Sequence, residues 1–203
     1  MSFDLEGFAD ACKAAETQEE VMALVARAVE RRREVLAALG PVEEQVTRTF
    51  HASPERTVQI IAWAPGMRAA PHEHHMWAVI GVCAGREENG RWRRAGGGIE
   101  RAGGDSLGEG AVLALDDEVI HDVANPLDAF TVAIHVYGGD ILRAARSMWH
   151  PFTMEEVPFD TEKIERLVAA FNARQRMEPA PFAAANVPRI MAALLEETKL
   201  GRA

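Results

Sequence analysis

His72 and His74 are the residues of this chain best spaced to do chemistry. They lie in the stretch Gly66-Met67-Arg68-Ala69-Ala70-Pro71-His72-Glu73-His74-His75-Met76-Trp77-Ala78, which runs on to Gly85. Side chains of an extended strand alternate with period two, so both imidazoles project from one face. Two imidazoles so spaced can chelate one metal ion, and a third ligand from a distant strand would leave the opposite positions open for a substrate. His121 is the candidate third ligand: it follows Asp116-Asp117-Glu118-Val119-Ile120 and precedes Asn125 by four residues. Taken alone, a histidine in such a strand is as readily a surface or hydrogen-bonded core residue.

The other residues that invite a chemical reading have plainer ones. His75 points to the opposite face from the chelating pair if the strand is regular, and Glu73 between the pair is a supporting or solvated carboxylate. His51 and His150 have no motif around them, and Trp63 and Trp77 read as core or cavity-wall residues.

The elements that must position these residues fall into three parts, read together as one domain over 1–203. Residues 1 to about 40 read as helical: Thr17 with Glu20 is a capping-box signature, Val21, Leu24, Val25, Ala28, Val29, Val35, Leu36 and Leu39 recur at helical spacing, and Gly40-Pro41 ends the run. From about 44 to 150, short runs rich in Val, Ile and Trp alternate with glycine clusters: 57–64, 76–84, 97–101, 111–115, 119–123 and 129–137. Gly96-Gly97-Gly98 and Gly103-Gly104-Asp105 read as turns. Many short strands at this spacing predict an antiparallel sandwich or jelly-roll barrel. Over 151–203 the helical period returns in Thr161 to Gln175 and from Pro188 to Leu200, helices expected on the outside of the barrel.

Composition narrows the partners. The chain carries 22 Lys and Arg against 31 Asp and Glu, a formal net charge of -9, and its one basic cluster, Arg31-Arg32-Arg33, sits in an acidic helical segment. Binding to phosphates needs a basic face, so neither nucleic acid nor an anionic membrane is expected as a partner. No basic start followed by an apolar run opens the chain, and Cys12 and Cys83 read as two reduced thiols, so a cytoplasmic protein is expected. Oligomeric state stays open.

The histidine stretch resembles the first motif of the cupin superfamily, in which a Gly, five residues, His-x-His, a Glu three or four residues on and a further Gly recur. Gly66, His72, His74 and Gly85 fall in place, and His121 with Asn125 matches the His and Asn that end the second motif. Asp116-Asp117-Glu118 replaces that motif's internal Pro-x-Gly without moving the histidine. The resemblance implies a mainly β cupin barrel with N- and C-terminal helices and a metal held by His72, His74 and His121. Most metal cupins place a fourth ligand, Glu, where this chain has Ala78. A neutral three-histidine set leaves Fe(II) its full charge, which favours an anionic thiolate, and that pattern is similar to the thiol dioxygenases.

The likeness sharpens at Ile134-His135-Val136-Tyr137-Gly138, which resembles the His-x-Tyr segment of the cysteine dioxygenase type I family. Trp63-Ala64-Pro65-Gly66 and Trp77-Ala78-Val79-Ile80-Gly81 look closer to its bacterial 3-mercaptopropionate dioxygenase branch. By that resemblance His135 and Tyr137, two apart on one strand, form a hydrogen-bond relay beside bound thiolate and oxygen. One Fe(II) per chain, a small thiol and O2 are implied, with a sulfinate as product. Arg48 and Arg146 match positions that hold the substrate carboxylate in one branch or the other, and Arg143 is a third candidate. Two departures stand out. Ala133 replaces the Ser found two residues before the relay histidine, and Ala78 replaces the Cys that crosslinks to the relay tyrosine in mammalian-type enzymes. Besides a thiol dioxygenase, two readings stay open: a cupin metalloenzyme with another small substrate, and a non-catalytic cupin that binds a small ligand.

Overall fold

Strands whose two faces are both apolar need a cover on each side, and this chain supplies one from its helices and the other from a barrel interior. The computed structural model describes residues 2–177. Three helices come first, α1 (Leu5–Ala14), α2 (Gln18–Glu30) and α3 (Arg32–Leu39). The helical region expected over 1 to about 40 is thus three helices with two breaks between them. The first break is at Ala15, where the chain turns extended before Thr17 caps α2 in the expected capping box, and the second is at Arg31, where the backbone leaves helical geometry.

Eleven strands follow among the described residues: β1 (Val46–Ala52), β2 (Thr57–Trp63), β3 (His72–Glu73), β4 (Ala78–Ala84), β5 (Arg86–Ala95), β6 (Gly98–Gly108), β7 (Val112–Leu115), β8 (Ile120–Ala124), β9 (Thr131–Tyr137), β10 (Ser147–Trp149) and β11 (Glu156–Pro158). They form two sheets. One has the order β1-β2-β9-β4-β7 and the other β11-β10-β3-β8-β5-β6, and the pairings are antiparallel. Strands from both halves of the chain contribute to each sheet, giving the double-stranded β-helix of a cupin barrel. The helix α4 (Thr161–Met177) closes the described chain. The second C-terminal helix expected, from Pro188, lies outside the described residues.

The five-stranded sheet shows the alternation directly. Val58, Ile60 and Ala62 of β2, Val79 and Cys83 of β4, and Val132, Ile134 and Val136 of β9 form one core with Val21, Val25 and Val29 of α2. Each large apolar side chain among them, fully buried, contributes about 1.5–3 kcal/mol. The intervening residues Ala78, Ile80, Val82, Ala133 and Tyr137 face the other way and pack inside the barrel with Leu115 and Ile141. His135 therefore faces the interior as well, with Tyr137 and Ala133 on either side along β9. From α4, Leu167 and Phe171 pack on Ala64, Met67, Ala70 and Met148, and Asn172 exchanges hydrogen bonds with the backbone of Gln45 at 3.0 and 2.8 Å.

The sheet departs from expectation where strands are charged. β1, β10 and β11 carry no long apolar run, and neither does β5 (REENGRWRRA), six of whose ten residues are Arg or Glu. Its partner β6 extends straight through Gly103-Gly104-Asp105, where a turn was expected. Gly104 serves close strand packing, since a Cβ there would come 2.7 Å from the carbonyl oxygen of Asn89. Gly103 sits at the register shift between Arg91 and Trp92. The other cluster does turn, with Gly96 and Gly97 at φ 55° and 88° between β5 and β6.

Candidate metal centre

The shortest strand of the barrel carries the first of the chelating histidines. His72 lies on β3 directly across from His121 on β8 in antiparallel register, with ring centroids 4.7 Å apart. His74 follows the end of β3, its ring 5.1 Å from that of His72 and 4.8 Å from that of His121. Among the described residues, these three offer ligand atoms that all lie within 4.8 Å of one another. His75 takes a left-handed conformation, φ 56°, and turns out of the site to pair with Glu73 Oε1 at 3.1 Å. It leaves the ligand face because the strand has ended, not because the strand alternates. Glu73 is buried rather than solvated, with Arg94 at 3.0 Å and the Ser147 N–H at 3.3 Å as further partners.

Hydrogen bonds decide which nitrogens face the centre. The Nδ1 of His72 lies 2.9 Å from the carbonyl of Ala70, and a carbonyl only accepts, so this Nδ1 carries hydrogen and leaves the Nε2 lone pair free. The Nδ1 of His121 likewise lies 2.9 Å from Asn89 Oδ1. The Nε2 atoms of His121 and His74 stand 3.2 Å apart. Two nitrogens bound to one metal at about 2.1 Å stand roughly 3.0–3.4 Å apart for angles from square to tetrahedral. Burial, with the Arg146 charge next, pulls the His72 pKa down to about 4. Burial and then neighbouring imidazoles hold His74 and His121 well below the ordinary histidine value. All three are neutral donors at physiological pH, with no carboxylate among them, and this set fits a divalent transition metal.

Ala78 lies opposite Tyr137 in the β4–β9 register, so a methyl group and no ligand-bearing side chain stands there. The Tyr137 ring meets His74 edge-on at 5.1 Å, and its hydroxyl is 3.3 Å from His135 Nδ1. Burial raises the Tyr137 hydroxyl above its ordinary value, keeping the proton on oxygen. His135 Nε2 lies 3.3 Å from Glu87 Oε2. Glu87 is completely buried and also accepts from Trp63 Nε1 at 2.9 Å and Asn89 Nδ2 at 3.0 Å. Burial pushes this carboxyl up, but His135 and the bonds from Asn89 and Trp63 outweigh it and hold the carboxyl below its ordinary value. Glu87 and Asn89 escape a sequence reading that looks for apolar strands. Their signal is a polar pair at i and i+2 just after Gly85, with φ 76°, which opens β5.

The two arginine candidates part company. Arg146 lays its guanidinium over Phe159, 3.2 Å from the ring centroid, and Phe159 in turn packs 6.0 Å from the His72 ring. Its Nε and Nη1 are buried without a hydrogen-bond partner among the described residues. Burial pulls its pKa down to about 10, which still leaves it cationic, and its charge bears on His72, His74, His121 and Tyr137. Arg48 is exposed on β1 and donates to the carbonyl of Leu39 at 2.8 Å, closing the end of α3 rather than joining the cluster. Arg143 is exposed and lies 3.9 Å from Asp140. Asn125 donates to the carbonyls of Trp63, Ala64 and Ala129 at 2.7–3.1 Å, locking loops together outside the centre. His150 Nδ1 accepts from the N–H groups of Phe152 and Thr153, a turn contact.

No family model matches the chain. Among solved structures it is similar to an RmlC-like cupin with a double-stranded β-helix fold from Methanocaldococcus jannaschii, at 11% identity and TM-score 0.42, over 50% of this chain and 86% of that one. An uncharacterised conserved protein with a double-stranded β-helix domain from Klebsiella pneumoniae matches at 16% identity and TM-score 0.43, over 54% and 83% of the two chains. A cupin superfamily protein from Desulfitobacterium hafniense matches at 15% identity and TM-score 0.42, over 52% and 88%. The fold assignment rests on the chain's own sheet order and register.

Proposed function

We propose that the chain is a mononuclear non-haem Fe(II) thiol dioxygenase that converts a small thiol acid to its sulfinate, within the cysteine dioxygenase type I family. The observation that carries this reading is a neutral three-histidine cluster with buried Arg146 beside it, whose Nε and Nη1 have no hydrogen-bond partner among the described residues, and the Tyr137–His135 pair over it. Fe(II) bound by His72, His74 and His121 would supply the redox chemistry between O2 and thiolate. The overall change adds both oxygen atoms of O2 to the sulfur of RSH, giving RSO2H, and needs no further reductant.

The chain's own residues bind, orient and exclude water. Arg146 has two buried nitrogens, Nε and Nη1, without a partner among the described residues, so a substrate carboxylate would relieve the cost of its unpaired charge. Tyr137 holds a proton on its hydroxyl beside His74, with His135 Nδ1 as the nearest base. Ala78, Ile80, Val82 and Leu115 make an apolar wall that keeps bulk water from the sulfur. Buried, free Cys12 and Cys83 accord with a reducing cytoplasm.

The test is O2 uptake by iron-reconstituted protein against a panel of thiols, with thiol-free and carboxylate-free controls and product identified by mass. Uptake coupled to one sulfinate, with a KM raised at least tenfold in Arg146→Gln, is the expected result. Iron bound at one equivalent with no uptake for any thiol overturns it. Arg146 would then favour a second reading, a metal-dependent cupin acting on another small carboxylate.

A further inference from the structure

We infer that Glu87 is a positioning residue whose one carboxylate sets the proton position on two histidines, the metal-ligating His121 and the relay His135. The relay role of His135 and metal ligation by His121 rest on the function proposed above; the hydrogen bonds stand without either.

An ionised carboxylate can only accept, and this sends a fixed order of donors outward in two directions. Toward the metal, Glu87 Oε1 takes the Nδ2 of Asn89 at 3.0 Å. That fixes the orientation of the Asn89 amide, which by itself could be turned either way. Its Oδ1 then faces His121 Nδ1 at 2.9 Å and must accept, so Nδ1 carries hydrogen and Nε2 keeps its lone pair for the metal. Toward the barrel interior, Glu87 Oε2 takes the indole N–H of Trp63 at 2.9 Å and His135 Nε2 at 3.3 Å. The His135 hydrogen is therefore on Nε2 whether the ring is neutral or cationic. That leaves Nδ1 to face the Tyr137 hydroxyl at 3.3 Å, as the acceptor when the ring is neutral.

This would orient His135 although Ala133 stands where the resembled family carries a serine. His135 does not need an orienting partner on its own strand, because β5 supplies one from the facing sheet. It also places a negative charge near a ligand set that has none, one hydrogen bond from His135 and two from His121. The strand geometry is suited to it: Glu87 and Asn89 are two apart on β5, so both point inward, while Arg86 between Gly85 and Glu87 is exposed.

The test is nitrogen NMR of the full chain labelled with 15N-histidine and loaded with Zn(II), which is diamagnetic. The expected wild-type spectrum has His121 protonated at Nδ1 and His135 at Nε2. In Glu87→Gln the amide must turn an N–H toward Asn89 or His135. The expected result is a tautomer switch at His135, or a fall in zinc affinity of about 10–100-fold as Asn89 turns over. Trp63→Phe, which removes the third bond to the same carboxylate, should leave both tautomers as they are. A wild-type His135 protonated at Nδ1 alone overturns the inference even if Glu87→Gln fails to fold. So does a folded Glu87→Gln with unchanged tautomers and zinc affinity. These readouts are independent of thiol turnover, so failure of the oxygenase assay leaves them standing.

Discussion

The two sheets of the barrel are built by opposite rules. In the five-stranded sheet, β9 is buried along its whole length, Val132, Ile134 and Val136 under α2 and Ala133, His135 and Tyr137 inside. In the six-stranded sheet, β5 is charged and mostly exposed beyond Gly90, and its buried residues include Glu87 and Asn89. The first sheet is a hydrophobic scaffold that presents a tyrosine and a histidine. The second carries His72 and His121, runs on from β3 into His74, and holds the carboxylate behind them. A polar side chain in a fully buried slot has to be held by partners, so the second sheet is where hydrogen bonding rather than packing sets the geometry.

The sharpest way to break this division is His121→Ala, which removes a ligand from the polar sheet. Metal content should fall from about one equivalent to near zero, with turnover lost at least a hundredfold, while melting of the metal-free protein changes little. A fully loaded, active His121→Ala would remove the ligand set. Ile134→Ala tests the other sheet. It should cost about 2–5 kcal/mol in denaturant unfolding, because the site under α2 cannot collapse freely, yet leave metal bound per folded molecule unchanged.

A third test uses pH. The unfolded chain protonates its histidines near pH 6.5, whereas folded His72 resists until about 4 and His74 and His121 also stay well below the ordinary value. The unfolded state therefore binds more protons in that window, and metal-free stability should fall as pH drops through it and be fully present above it. Melting temperature measured from pH 7.5 to 4.5 should decline, and bound zinc should steepen the decline where protons displace it. A flat profile would mean that these imidazoles are not buried neutral. The smallest effect is expected at Glu73→Gln, on the outer face of the polar sheet. Glu73 is buried, yet an amide oxygen can still accept from the Ser147 N–H and Arg94 keeps Glu156 as partner, so the loss should be about 1–2 kcal/mol with metal affinity intact.

The same division explains what the sequence discloses. Runs such as Thr57–Trp63 and Thr131–Tyr137 announce strands because both their faces are largely apolar. His72, His74 and His121 are legible by spacing, since a ligand set needs particular residue types at particular intervals. β5 is hidden because its outward residues are charged and its inward ones polar, so neither period nor hydrophobicity marks it. Glu87 is legible only once β5 is known to lie beside β8. Arg48 and Arg146 look alike as lone arginines; one reaches the end of α3 and the other stacks on Phe159 beside the His72 ring, a difference made by tertiary contacts.

The helical layer has one more consequence. A strand that slips by a single residue presents its other face throughout. For β9 such a slip would put His135 into the apolar core under the helices and turn the bulk of Ile134 and Val136 toward the three histidines. The apolar core shared with the helices acts as a reading frame for the sheet: it accepts only one phase of β9, and in that phase the chemistry points inward.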